Sequence, residues 1–164
     1  MLKITAAVII VCSLFTSPAL AALKTSTPSV ACSLLDSVDL ATGSWKNIYE
    51  NKYGCNSQYK HIGTAFPLAN NIAYYVEGNS NSVSMAKLVL NINDQPGSTV
   101  ARKALASSSE ILSKKITGLT LPASIKSAIT SGKPEKAKAG MASIEVTRNN
   151  WPTGKRYEIH VIFQ

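Results

Sequence analysis

The chain has 164 residues, three cysteines and a formal net charge of +8, with 17 basic residues against nine acidic ones. This length suits one domain with a single hydrophobic core. The sequence contains no G-x-S-x-G elbow, no Walker loop, no H-E-x-x-H motif and no calcium-binding loop, which removes the enzyme classes that depend on those local motifs.

Residues 1–21 have the pattern of a Sec signal peptide. A short basic start precedes an apolar run over residues 4–15, and the small residues Ala19 and Ala21 follow it. The run is shorter than the roughly 20 residues that a membrane span needs. We therefore expect cleavage after Ala21 and export of residues 22–164 as a single α+β domain without a transmembrane segment. The periplasm is the expected destination, the extracellular space is possible, and an uncleaved anchor is the alternative.

The exported chain is predicted to begin with a loose, polar lead-in over residues 22–30. Apolar residues then recur at helical spacing from Ser29 to Leu40, which predicts a first helix. Thr42 and Gly43 end this segment, and the aromatic-rich stretch that follows has no clear periodicity. The first element of the domain is therefore expected to be a helix that carries Cys32.

Cys32 and Cys55 are the two cysteines that remain after signal cleavage. Two cysteines in an oxidising compartment predict one structural disulfide, which would stabilise the fold by roughly 3 kcal/mol. A zinc site would need four ligands at short spacings, and only His61 and His160 are available beside the cysteines. A redox pair would be expected as Cys-x-x-Cys. We therefore predict no metal and no cofactor.

Residues 59–93 are predicted to form three strands. The first ends before Pro67, which is typical of a strand end or an edge. The second covers residues 70–76, and a polar turn separates it from the third, over residues 83–92. Alternate residues of the third strand are all apolar and are predicted to face the core: Ala86, Leu88, Leu90 and Ile92.

Two helices are predicted next. The first begins at Ser98 or Thr99 and ends before Gly118, a favoured C-terminal cap residue. The second begins near Pro122 and ends at Gly132. The apolar stripe predicted for the first helix comprises Val100, Ala104, Leu105, Ile111, Leu112 and Ile116.

The chain is predicted to end in a hairpin. Residues 133–140 are expected to be a mobile basic connector, and residues 141–148 and 156–164 alternate as two strands around a turn at residues 149–155. The predicted order is therefore α-β-β-β-α-α-β-β. It corresponds to one antiparallel sheet of about five strands with helices on one face.

Charge is concentrated in one segment. After signal cleavage sixteen basic residues face nine acidic ones, and residues 102–138 hold eight basic residues against only Glu110 and Glu135. Such a field can steer an acidic partner, although a lysine-rich surface also serves solubility. The segment lacks the aromatic residues that often accompany nucleic-acid binding, and no nucleic acid is expected.

Trp151 lies in the turn of the final hairpin and is predicted either to anchor a partner or to close the core. Tryptophan and arginine dominate binding hot spots, which favours the first role for an exposed side chain. The residues predicted to contact a partner are Trp151, Lys155, Arg156, Lys114, Lys115, Lys126, Lys133, Lys136 and Lys138.

The sequence identifies no catalytic residue. His61 and His160 lie in predicted strands without a recognisable nucleophile, and Asp36 and Asp39 are read as a solvated helix face. We therefore predict a non-enzymatic, exported binding protein that docks an acidic protein: an inhibitor, an immunity factor or an envelope accessory factor. The alternatives are a small hydrolase or another enzyme with a non-local active site, and a binder of an acidic envelope polymer or lipid headgroup.

Overall fold

The computed structural model describes residues 23–152 and 154–164, so the predicted signal peptide lies outside the described residues. In chain order the elements are helix α1 (Pro28–Cys32), a 3-10 turn (Asp36–Val38), strands β1 (Lys46–Tyr49), β2 (Lys52–Asn56), β3 (Lys60–Ile62), β4 (Asn70–Gly78) and β5 (Val83–Ile92), helices α2 (Ser98–Ile116) and α3 (Ala123–Ser131), and strands β6 (Glu135–Ala139), β7 (Ala142–Asn150) and β8 (Tyr157–Phe163).

All the strands belong to one antiparallel sheet of eight strands. Seven of them follow the order β1-β2-β4-β5-β8-β7-β6, and β3 pairs with β4 beyond the end of β2. Helix α2 packs against β4 and β5, and α3 packs against β6 and β7. The predicted α+β class with an antiparallel sheet is confirmed, whereas the predicted five strands and their order were incomplete.

The core lies between the helices and one face of the sheet. Strand β5 places the predicted residues Ala86, Leu88, Leu90 and Ile92 there with no exposed surface. Helix α2 supplies Ala101, Leu105, Leu112 and Ile116, together with the small buried residues Ser109 and Ser113. The predicted stripe was wrong at Val100, which is 63% exposed, because the buried row runs through its neighbour Ala101.

The first helix is much shorter than predicted. It ends at Cys32, and the predicted continuation to Leu40 is replaced by the 3-10 turn. The hydroxyl of Thr42 donates to the carbonyl of Cys32 at 3.0 Å, and Asp39 adopts the left-handed conformation with φ 59°. Helical periodicity among buried residues is therefore present here without a continuous helix.

Three strands were missed. Strands β1 and β2 form a hairpin across the aromatic stretch, with its turn closed by a bond of 2.7 Å from Asn47 Nδ2 to the carbonyl of Glu50. Strand β6 pairs with β7 inside the stretch predicted to be a mobile connector, with Ala137 opposite Ile144. Alanine and lysine are poor strand formers, so pairing with β7, rather than local propensity, determines this strand.

The segment predicted to be a loose lead-in is attached to the rest of the fold. Leu23 is buried in the core, and the backbone of Thr25 donates to the carbonyl of Ile116 at 3.2 Å. The backbone of Val83 in turn donates to the carbonyl of Ser26 at 2.9 Å.

No described helix is both long enough and apolar enough to cross a membrane. This includes α2, which at 19 residues is the longest described helix.

Candidate functional site

Tyr157 is the centre of a cluster of polar side chains at one end of the sheet. It is the first residue of β8, pairs with Ile92 of β5 and Asn150 of β7, and is only 3% exposed. The alternation of β8 turns its side chain towards the helix layer together with Ile159. The phenol ring therefore lies beneath the ends of α2 and α3, where arginine side chains reach it.

Arg102 approaches Tyr157 from the second turn of α2. Its Nη1 donates to the hydroxyl of Tyr157 at 2.9 Å, and its Nε donates to the carbonyl of Thr130 near the end of α3, also at 2.9 Å. These two acceptors come from different elements, so they hold the plane of the guanidinium group in one orientation.

Arg148 of β7 approaches the same tyrosine from the other side. Its guanidinium carbon lies 3.7 Å from the centroid of the Tyr157 ring, a cation–π contact. Its Nε donates to Oδ1 of Asn150 at 2.9 Å, and its Nη1 donates to the carbonyl of Gly132 at 3.4 Å. We call Arg102, Arg148 and Tyr157 the arginine cluster.

Gly132 lies close to both arginine side chains. It caps α3 in the left-handed conformation, with φ 68°. A Cβ atom at this position would lie 3.5 Å from Nη1 of Arg148 and 3.6 Å from Cδ of Arg102. Both arginine side chains therefore pass close to the same point of the backbone.

The tip of the β7–β8 hairpin lies at the same end of the sheet. Within the turn, the backbone of Trp151 donates to the carbonyl of Arg156 at 3.0 Å, and Gly154 donates to the carbonyl of Trp151 at 2.8 Å. Nε2 of Gln95, just before α2, donates to the carbonyl of Lys155 at 3.0 Å. The indole of Trp151 is partly exposed and is not among the described side chains packed against the core.

Basic side chains predominate at this end of the sheet, where Asp94, next to Gln95, accepts a hydrogen bond from the backbone of Gly97. Only three of the chain's 17 basic residues are arginines, and all three lie here. None of the ion pairs in the described part of the chain involves an arginine. We define the sheet-end surface by the arginine cluster and the neighbouring residues Lys133, Trp151, Lys155 and Arg156.

The other predicted contact residues lie elsewhere. Lys126 pairs with Glu110 at 2.5 Å, and Lys114 and Lys115 lie in the last turn of α2, where Nζ of Lys115 donates to the carbonyl of Leu34 at 2.6 Å. On β6, Lys136 and Lys138 are paired with Glu145 and Ser143 of β7 and share the face of the sheet opposite the helices. The basic segment is therefore divided between two faces of the molecule.

That opposite face carries a second polar group of side chains. His160 Nε2 lies 2.9 Å from Oε2 of Glu158. Nearby, burial, a hydrogen bond with Tyr59 and the charge of Glu158 together raise the pKa of the Tyr75 phenol above its ordinary value. The phenol of Tyr75 therefore stays protonated at neutral pH and acts as a hydrogen-bonding group.

The remaining histidine and the acid pair are not brought into this group. His61 is exposed on β3 opposite Asn71, and Asp36 and Asp39 are exposed at the 3-10 turn, where Asp39 pairs with Lys60 at 3.0 Å. Across residues 23–152 and 154–164, no group of three or more His, Cys, Asp or Glu side chains is arranged to hold a metal ion.

Comparisons with protein-family models, with curated proteins and with solved structures found no match for this chain. The candidate site therefore rests on the positions and contacts of its residues alone. Arg102, Arg148 and Tyr157 were all missing from the predicted contact residues, although Arg148 gives one signal: it follows Ile144 and Val146 on the core side of β7. A charged residue at such a position indicates either a strand end or a specific contact.

Proposed function

We propose that this chain is a non-enzymatic, exported binding protein that docks an acidic protein through the sheet-end surface. The observation that carries the proposal is the gathering of all three arginines at this end without an ion-paired carboxylate in the described chain. Arginine and tryptophan are the residues that most often dominate protein interfaces, and Trp151 lies partly exposed beside Arg156.

The disulfide fits the export part of this proposal. Cys32 and Cys55 are joined, with a Cα–Cα distance of 6.1 Å, and such bonds persist in oxidising compartments. The partner would be another protein of the same compartment, which is the situation of an inhibitor, an immunity factor or an envelope accessory factor.

The test is an affinity pull-down from an envelope extract with the exported chain as bait. A variant with Lys133→Glu and Lys155→Glu changes the sheet-end surface, and a variant with Lys46→Glu and Lys114→Glu makes the same change in net charge elsewhere. All four lysines are exposed. We expect the first variant to lose the captured protein and the second to retain it.

Salt dependence and protease treatment sharpen this test. Steering between exposed charges is screened by salt, so the difference between the variants should shrink as the salt concentration rises. Equal loss in both variants would contradict docking at the sheet end. Captured material that resists protease would instead indicate an acidic polymer or a lipid headgroup as the partner.

A small hydrolase is the second candidate, and the pair His160–Glu158 favours it. A carboxylate 2.9 Å from an imidazole nitrogen can orient the ring, as in a general base. His160→Gln would then abolish turnover in a screen of ester and amide substrates and would leave the pull-down unchanged. Equal hydrolysis by the wild type and this variant would remove the enzyme alternative.

A further inference from the structure

We infer that Arg102 and Arg148 form a site for a carboxylate group, contributed by an aspartate or glutamate side chain of the acidic partner. This inference rests on the proposed function and specifies its central contact. It follows from the donors that the two guanidinium groups leave free and from the way in which the protein orients them.

Each guanidinium group has five N–H donors. Arg102 uses Nε and Nη1 for the carbonyl of Thr130 and the hydroxyl of Tyr157. Arg148 likewise uses Nε and Nη1, for Asn150 and Gly132. In the described chain no hydrogen bond involves Nη2 of either residue, so both arginines keep donors for an external acceptor while the protein fixes their planes.

An anion would compensate the positive charge that the two arginines bring to one tyrosine. Both side chains contact Tyr157, and a Cβ placed on Gly132 would lie within 3.6 Å of an atom of each. Like charges repel, and the repulsion is stronger beside a buried group such as Tyr157, where solvent screens less. An oxyanion bound by the free Nη2 groups offsets that repulsion and accepts charge-assisted hydrogen bonds from both arginines.

The choice of arginine over lysine points to an oxyanion with several acceptor atoms. Lysine is by far the commoner basic residue of this chain, yet both oriented positions carry arginine, whose planar fork matches a carboxylate. Phosphate oxygens can accept hydrogen bonds from the same fork. The affinities for a carboxylate and for phosphate must therefore be compared directly to show which anion the site binds.

The test is a titration followed by 15N NMR of the arginine Nε–Hε groups. The chain has three such signals, and Arg156 is an internal control because its guanidinium group has no place in the inferred site. With N-acetylglutamate we expect saturable shifts at Arg102 and Arg148, larger than with sodium chloride of matched ionic strength. Inorganic phosphate is the second arm, and tighter binding of phosphate would overturn the assignment to a carboxylate.

Two variants complete the test. Tyr157→Phe removes the hydroxyl that orients Arg102 and keeps the ring beneath Arg148, and Arg148→Lys keeps the charge but removes the fork. Arg148→Lys should lower the affinity for N-acetylglutamate by about tenfold, the loss expected for one charge-assisted hydrogen bond, and Tyr157→Phe should also lower it because Arg102 loses an orienting acceptor. Lys138→Ala, on the other side of β6, should leave the affinity unchanged.

The outcomes separate the site from the proposed function. Similar, non-saturable shifts of all three arginine signals would overturn the site by reducing it to charge screening. Saturable binding with no protein captured in the pull-down would retain the site and refute the proposed function. Capture of a protein that is insensitive to Tyr157→Phe and Arg148→Lys would retain the function and refute the site as its contact.

Discussion

The hydroxyl of Tyr74 donates a hydrogen bond of 2.9 Å to the backbone carbonyl of Ala31, and both residues are fully buried. The bond joins the centre of β4 to the short helix α1, one residue before Cys32. The disulfide joins the same helix to Cys55 of β2. A helix of five residues, too short to be stable by itself, is thus held on the sheet by one covalent bond and one buried hydrogen bond.

Tyr74→Phe should therefore destabilise the fold. The change keeps the ring and removes the hydroxyl, so the carbonyl of Ala31 stays buried without its partner. We expect a loss of about 1–3 kcal/mol in the free energy of unfolding, measured by urea denaturation. Tyr49→Phe is the matched control, because Tyr49 is 53% exposed. Equal stability of the two variants would show that the bond contributes nothing.

The stability of the protein should fall in alkaline solution because of the same residue. Burial, followed by the charge of Asp36, raises the pKa of the Tyr74 phenol above its ordinary value of 10.0. The folded state therefore keeps a proton that the unfolded state releases, so this contribution is intact below pH 10.0 and is lost as the pH rises above it.

Urea midpoints measured from about pH 8 to about pH 11 should show this decline, and the decline should be shallower in Tyr74→Phe. Tyr75 shifts in the same direction, through burial, the hydrogen bond with Tyr59 and the charge of Glu158. A residual slope in the Tyr74 variant is therefore expected. Identical pH profiles for the two proteins would rule out Tyr74 as a source of the decline.

The disulfide should be intact in exported protein and should stabilise the fold. Mass spectrometry without reduction is expected to show a peptide joining Cys32 to Cys55. Cys32→Ser should lower the free energy of unfolding by roughly 3 kcal/mol. Partner binding should persist in this variant, because neither cysteine belongs to the sheet-end surface. Two free thiols in the exported form would disprove the structural role.

Asn70, the first residue of β4, should be a sensitive polar residue because it holds the loop that leads from β5 into α2. It is 1% exposed, and its Oδ1 accepts hydrogen bonds of 2.8 Å from the backbone nitrogens of both Asn93 and Asp94. Its Nδ2 donates to the carbonyl of Asp94 at 3.0 Å. Asn70→Ala removes all three bonds and should cost about 3 kcal/mol or more in thermal or urea unfolding.

Asn70→Asp is the informative comparison for that change. Asp keeps an acceptor oxygen in place of Oδ1 and has an oxygen in place of the Nδ2 donor. The loss in the free energy of unfolding should therefore differ from that of the alanine variant. Asn79, whose Oδ1 organises the exposed β4–β5 turn, provides the surface control. A cost for Asn79→Ala as large as that for Asn70→Ala would contradict the importance of burial.

Trp151→Ala tests whether the indole is an anchor or part of the fold. Pro152 and Gly154 are turn formers, and the turn is closed by backbone hydrogen bonds. We therefore expect a change of less than about 0.5 kcal/mol in unfolding and a loss of roughly 2 kcal/mol or more in partner binding. Destabilisation of about 3 kcal/mol or more would instead assign Trp151 to the core.

Local patterns predicted the parts of the fold that local forces stabilise. The bounds of α2 and α3 were close because cap residues such as Gly118 and Gly132 stop a helix wherever it packs, and both adopt the left-handed conformation. Strands β4, β5 and β8 were found because alternate residues of each are apolar and form one continuous apolar face. The cysteine pair was predicted correctly because the number of cysteines left a single pairing.

Tertiary structure decided what the sequence could not show. Strand β6 exists because β7 offers it a partner, and α1 stops early because Thr42 and Cys55 hold Cys32 from outside the helix. The arginine cluster joins residues as far apart as Arg102 and Tyr157, which are 55 positions apart. No local sequence pattern predicts a contact between residues so far apart in the chain, because only the packing of the helix layer onto the sheet brings these side chains together.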